Sequence, residues 1–199
     1  NPPFSLKSWN NGVYDTEGDS ATTLPSNAKD YGRFKGFGYP PNKNGDYAFL
    51  LHMIRSLKSK GKAAVILPHG VLFRGNAEAE IRKNIIKRGY IKGIIGLPAN
   101  LFFGTGIPAC LILIDKEGAE SRKAIFMVDA SKGFMKDGPK NRLRDQDIHK
   151  IVDVFTKMDE SDPKYSRIVP LSEIESKEYN LNLPRYIDSQ QAEDIQDIE

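Results

Sequence analysis

One cysteine in 199 residues leaves no partner for a disulfide within the chain and no cysteine cluster for a structural zinc site. That single residue, Cys110, fits a reducing cytoplasm. Long hydrophobic runs are missing as well. Ala109 to Ile114 is among the longest, far below the roughly 20 residues that cross a bilayer, and no basic-then-apolar leader opens the chain as it stands. Neither sign of charge dominates, since 29 Lys and Arg face 26 Asp and Glu for a net +3, which permits a polyanionic partner without demanding one. A starting methionine is also lacking: Asn1 leads directly into Pro2, Pro3 and Phe4, and the chain reads as a piece of a longer protein. What is present, 39% hydrophobic and 28% charged residues, is ordinary globular composition, enough for one core.

From Ser5 to Asn44 the chain is rich in Gly, Asn, Asp, Ser and Pro and shows no sustained period. It reads as a long loop, and its interleaved aromatics (Trp9, Tyr14, Tyr31, Phe34, Phe37, Tyr39) and bases (Lys29, Arg33, Lys35) favour a binding role. Asp46 is placed to cap a helix with Phe49, Leu50, Met53, Ile54 and Leu57 at helical spacing. Ala63 to Leu67, stopped by Pro68, reads as a parallel strand buried on both faces. Asn76 opens a second helix with Glu78 and Glu80 in its first turn and Lys87, Arg88 and Gly89 at its end. Strands follow at Tyr90 to Leu97, Leu111 to Ile114 and Ala124 to Val128, the later ones hairpin-linked. This alternation is that of an α/β sheet whose far edge turns antiparallel.

Past Ser131 a polar loop leads to a helix near Asp145 to Met158, with Ile148, Ile151, Val152 and Phe155 on one face. Ile168 to Ile187 is mixed, with Ser172 as a cap, and the last dozen residues are acidic and glutamine-rich. The expected division is 1–130, of which 1–45 holds the opening motif and long loop, followed by an extension over 131–199 that contains the helix 145–158.

The opening tetrapeptide carries the sharpest chemical signal. An Asn, Asp or Ser, two prolines and an aromatic arise by chance in roughly one percent of chains this long. A proline-rich turn is the plain reading. The chemical reading starts from the exocyclic amine of adenine, a poor nucleophile because its lone pair is delocalised into the ring. Two acceptors aimed at its hydrogens return density to the nitrogen: the Asn1 side-chain oxygen and the Pro2 carbonyl, the latter biased toward an extended geometry by Pro3. Phe4 then offers a flat face for a base swung out of a duplex. Neither a metal nor a covalent intermediate is required.

Asn1-Pro2-Pro3-Phe4 resembles motif IV of amino-group DNA methyltransferases. Gly45 to His52 and Gly61 to Phe73, including Leu67-Pro68-His69-Gly70-Val71-Leu72-Phe73, resemble the modification subunit of type I restriction-modification systems. Leu97 to Phe103, Gly106 to Ile114, Asn141 to Val152 and Tyr179 to Tyr186 extend that resemblance through nearly the whole chain. It implies an α/β fold, the C-terminal half of a Rossmann-like class I methyltransferase sheet, followed by a helical tail. It also implies S-adenosylmethionine-dependent methylation of adenine N6 in double-stranded DNA. The implied partners are a specificity subunit, a second modification subunit and a restriction subunit. Asn1 and Pro2 would hold the amine, Pro3 would shape the loop and Phe4 would stack on the ring. The family's glycine-rich cofactor motif precedes the catalytic loop and is absent from this chain, so this polypeptide alone is expected to bind the donor poorly and to be inactive.

Other residues carry lesser expectations. His69, at a strand's carboxyl end, is a candidate for the substrate cleft, whereas His52 reads as structural. Cys110 reads as a core thiol, against cytosine-C5 chemistry, which needs a cysteine nucleophile. Lys29, Arg33, Lys35, Lys140 and Arg142 are candidates for DNA phosphate contacts, with Lys132, Lys136 and Arg144 nearby. Gly104 and Gly106 resemble a phosphate-binding turn only weakly, since no helix follows. Two other functions stay open: methylation of an RNA base or a protein glutamine amide, and a non-catalytic DNA-docking or subunit-assembly module.

Overall fold

The computed structural model describes residues 2–10 and 31–189. Asn1, 11–30 and 190–199 lie outside the described residues, and with them the expectations attached to Asn1, Tyr14 and Lys29.

The main sheet has five strands in the order β1-β3-β2-β4-β7: β1 (Lys62–Pro68), β2 (Ile91–Gly96), β3 (Ala109–Asp115), β4 (Ala124–Asp129) and β7 (Ser166–Pro170). Runs of Val, Ile and Leu build them because branched side chains pack well on a pleated surface. β2 and β4 pair in parallel, Gly93 opposite Phe126 and Gly96 opposite Asp129. β3 is antiparallel to both β1 and β2, so β1 and β2 run the same way with β3 between them. β1 is thus not the parallel strand buried on both faces that was expected: it stands at the end of the sheet order, its partner there is antiparallel, and Lys62 and Ala64 are exposed. The far edge is antiparallel, but it is formed by β7 on β4, in a segment read only as mixed from the sequence; the strands expected there, β3 and β4, lie inside the sheet. β3 and β4 are therefore not hairpin partners; the hairpin is β2 to β3, through the long loop 97–108.

Two layers cover the sheet. On one face α1 (Asp46–Ser56) and α2 (Asn76–Lys87) pack Leu50, Leu51, Ile54, Ile81 and Ile85 against Val65, Cys110, Ile112 and Met127. Each fully buried Leu or Ile contributes roughly 1.5–3 kcal/mol, so this face dominates the stability of the fold. On the other face α3 (Asp145–Lys157) sets Ile151, Val154 and Phe155 against Ile95, Phe126 and Val128. Ile148 and Val152, expected on the same face, are exposed, while Phe155 packs directly over Gly93, whose missing side chain makes the room.

The segment after 130 shares this core. β7 completes the sheet, α4 (Leu171–Ser176) follows it, and Leu181, Leu183, Tyr186 and Ile187 join the cluster on the α1–α2 face. Pro170, not Ser172, stands at the N-cap of α4. The polar stretch past Ser131 holds a small separate hairpin, β5 (Met135–Asp137) and β6 (Lys140–Arg142). The aromatics of 31–45 also behave differently from expectation: Phe34, Phe37 and Tyr39 are buried in the core, with Trp9 packed on Phe34 and Tyr39, and Tyr31 alone among them stands out at 77% exposure.

Candidate active site

The motif loop is fastened before it reaches the sheet. Ser8 N–H donates to the Asn42 carbonyl at 3.0 Å, Gly45 N–H to the Leu6 carbonyl at 2.9 Å and Trp9 Nε1 to the Pro41 carbonyl at 2.9 Å. Asn10 adds a side-chain bond to Asn42 at 2.8 Å. A side chain on Gly45 would meet Trp9 Cβ at 2.9 Å, so this close approach requires glycine. Ser5 takes a left-handed conformation (φ 49°) that turns the chain just after Phe4.

Asp46 holds that turn. It does not cap α1 as expected, since Gly45 is the N-cap and makes no side-chain bond. The Asp46 carboxylate, fully buried, instead accepts the Ser5 N–H at 2.7 Å and pairs with Arg74 at 2.5 Å. Arg74 also pairs with Glu78, whose carboxyl is pushed up from its ordinary value, first by burial and against the pull of Arg74. Arg82 lies beside them and donates to the carbonyls of Val71, Arg74 and Tyr179, tying the tail to α2.

Beside the fastened loop opens a cleft of about 400 Å³. Pro2, Phe4 and Ser5 form one side, Ile66 of β1 the floor, and Phe102 to Thr105 with Ile107 the far wall. Phe4 and Phe102 meet edge to face, their ring centres 5.6 Å apart. The far wall is the loop that follows β2, so the cleft lies beyond the carboxyl end of that strand, where α/β sheets place their ligands. A cleft of this volume with aromatic side chains in its lining suits a base removed from its stack. A second cavity of about 340 Å³ lies at the end of β4, but its three Asp and three Lys around Tyr165 offer no such slot.

Of the residues singled out in the sequence, Pro2 and Phe4 line the cleft, and Pro3 is exposed. His69 is not among the lining residues: after Pro68 it starts a short 3-10 turn, its N–H bonded to the Pro108 carbonyl and its ring packed edge-on against Phe73. Burial lowers its affinity for a proton, against the pull of Asp129. His52 accepts a bond from Arg33 Nε at 2.8 Å. Lys35 is exposed, and Arg142 forms an exposed pair with Asp137. Lys140 points inward, donating to the carbonyls of Phe102 and Thr105. Gly104 turns the cleft wall with φ 76°. Cys110 is fully buried, its thiol pushed up to about 12 by burial, and is an inert core residue. Sequence reasoning passed over Phe102 and Phe103; their signal was two adjacent aromatics before a glycine, just past a strand's carboxyl end.

A sheet of this topology, with an aromatic cleft beside an Asn-Pro-Pro-Phe loop, has the form of the later part of an amino-group methyltransferase. The chain belongs to the N-6 DNA methylase family, whose model matches residues 1–195. It is 34% identical over its whole length to the type I restriction enzyme MpnII methylase subunit of Mycoplasma pneumoniae, covering 34% of that protein. It is also 34% identical over 191 residues to the MjaVII methylase subunit of Methanocaldococcus jannaschii, covering 94% of this chain and 31% of that one. A crystal structure of the type I restriction-modification methyltransferase subunit from Streptococcus thermophilus superposes with a TM-score of 0.79 at 39% identity, over 94% of this chain and 37% of that one. The chain thus spans about a third of the length of the relatives it matches.

The family implies a nucleoside sulfonium donor; none of the residues lining the cleft is acidic, so this cleft offers no carboxylate for that donor's hydroxyls or charge. Among the described residues, no helix is long and apolar enough to cross a membrane.

Proposed function

We propose that this chain forms the base-accepting part of an adenine-N6 DNA methyltransferase, the modification subunit of a type I restriction-modification system. The observation that supports it is the open cleft lined by Pro2, Phe4, Phe102 and Phe103, with Phe4 and Phe102 in edge-to-face contact in its wall. An adenine turned out of the duplex enters this slot and stacks on Phe4, which offsets the cost of unstacking it. The Pro2 carbonyl and the Asn1 carboxamide oxygen accept the two amine hydrogens and restore density to the nitrogen. Pro3 stiffens the loop beforehand, and the Asp46 anchor fixes where it stands, so little ordering is left for the moment of reaction.

S-adenosylmethionine is the proposed donor, held by residues outside this cleft. The proposed partners are double-stranded DNA, a specificity subunit, a second modification subunit and a restriction subunit. Lys35 and Arg142 are the surface cations proposed to face phosphate. Residues 1–130 supply the catalytic half in this scheme, and 131–199 form an extension that braces it.

Supplying the full-length protein and its specificity partner with methyl-labelled donor tests the reading. Label is expected in duplex DNA as N6-methyladenine; label in RNA or in protein glutamine instead would contradict it, as would no transfer at all.

A further inference from the structure

Lys140 was one of several basic residues that the sequence offered as DNA phosphate contacts, yet its ammonium faces the protein. Nζ lies 2.7 Å from the Phe102 carbonyl and 3.0 Å from the Thr105 carbonyl. Those two carbonyls flank Phe103 and Gly104, so one cation closes the four-residue turn that forms the far wall of the cleft. Next to it, Asn141 is buried; its side chain donates to the Ala99 carbonyl at 2.7 Å and its N–H to the Asn100 carbonyl at 2.9 Å. Strand β6 thus offers donors to four carbonyls of one loop, from an element that has no place in the main sheet.

The loop needs such a brace. Phe103 is 94% exposed at its tip and Ile107 is exposed as well, and apolar side chains at that exposure gain by folding back onto nearby apolar surface. Both already line the slot together with Phe4, Phe102 and Ile66, so a shift of this turn reshapes it. Bonds from an ammonium to carbonyls are stronger than neutral ones, so they fix this turn and with it the shape of the slot.

We propose that Lys140 is a positioning residue for methyl transfer: by clamping the Phe102 and Thr105 carbonyls it fixes the wall of the cleft, and through Phe102 the ring of Phe4, on which a flipped base stacks. The inference rests on the adenine reading above. It assigns Lys140 no contact with substrate and none with DNA phosphate.

The test uses the full-length protein in its DNA-modifying complex, comparing wild type, Lys140→Met and Lys140→Arg. Methionine keeps the length and removes the donors; arginine restores donors to both carbonyls. Lys140→Met is expected to slow single-turnover methylation by about ten- to a hundredfold, the usual effect of removing a supporting contact. DNA affinity should stay within about twofold, with the dependence of log Kd on log salt unchanged. Hydrogen exchange should quicken at the amides of 99–106, and Lys140→Arg should return methylation to within about threefold of wild type. Wild-type methylation by Lys140→Met overturns the proposal. So does a weakened DNA affinity with the salt slope reduced by about one, the mark of a lost phosphate contact. A wild-type complex that labels no DNA overturns the adenine reading itself and this inference with it, an outcome distinct from either of the other two.

Discussion

The backbone N–H of Ser5 donates to Oδ1 of Asp46 at 2.7 Å, which ties the residue after Phe4 to the first turn of α1. Asp46 is fully buried and shares its other oxygen with Arg74, so the anchor of the motif loop is also half of a buried ion pair. Two substitutions separate these roles. Asp46→Asn keeps an acceptor for Ser5 and should retain methylation within about tenfold. Asp46→Leu removes both; it should cost about 3 kcal/mol, the low end for a broken buried pair because Arg74 keeps Glu78 and is 30% exposed. Urea denaturation and single-turnover assays on the pair check this.

Phe4 faces the slot and meets Phe102 edge to face. Base stacking on an aromatic contributes about 1–3 kcal/mol, so Phe4→Ala should lower kcat/KM for DNA by about ten- to a hundredfold. Phe4→Tyr should be tolerated within about threefold, since the ring face is kept. Donor affinity, measured by calorimetry, should be unmoved in both.

Much of this fold was readable from local pattern. The run Ala63 to Leu67 before Pro68, the apolar spacing of α1 and the charge-dressed ends of α2 each fell within a residue or two of the observed elements. Strand order was not readable, because the placement of β3 between β1 and β2 is decided by packing across the sheet and leaves no mark on β3 itself. Phe34, Phe37 and Tyr39 looked like binding aromatics because a loop has no period that distinguishes an inward residue from an outward one. Pro2 and Phe4 were legible as cleft residues from their chemistry, whereas Phe102 and Phe103 depended on where a loop folds back. The bonds of Lys140 were hidden for the same reason: nothing near it in sequence marks the carbonyls that the fold brings to its ammonium.

Glu173 gives the fold a defined response to acid. Bonds from Arg167 and then Lys177 hold its carboxyl below the ordinary 4.5, and the Arg167 contacts, at 2.7 and 3.0 Å, join β7 to α4. A depressed carboxyl contributes stability that is present above its unfolded value and is lost as pH falls through the folded one. Melting temperature should therefore drop as pH falls below about 4.5, and Glu173→Gln should flatten that part of the profile. An unchanged slope in the variant would assign the acid response to other carboxylates.

Gly93 lies under Phe155, and a Cβ there would meet Phe155 Cε2 at 2.4 Å and the Phe126 carbonyl at 2.9 Å. Gly93→Ala should destabilise the protein by about 1–3 kcal/mol through overpacking beneath α3. Adding Phe155→Leu should recover part of that loss, which a double-mutant cycle in urea measures.

The most direct measurement concerns the residue at the start of the motif. In the full-length complex, Asn1→Ala should reduce transfer of labelled methyl to adenine by at least about a hundredfold, comparable to losing one preorganised polar partner of a reacting group. DNA and donor affinities should remain within about twofold of wild type. Methylation of adenine at the wild-type rate by Asn1→Ala would contradict the account.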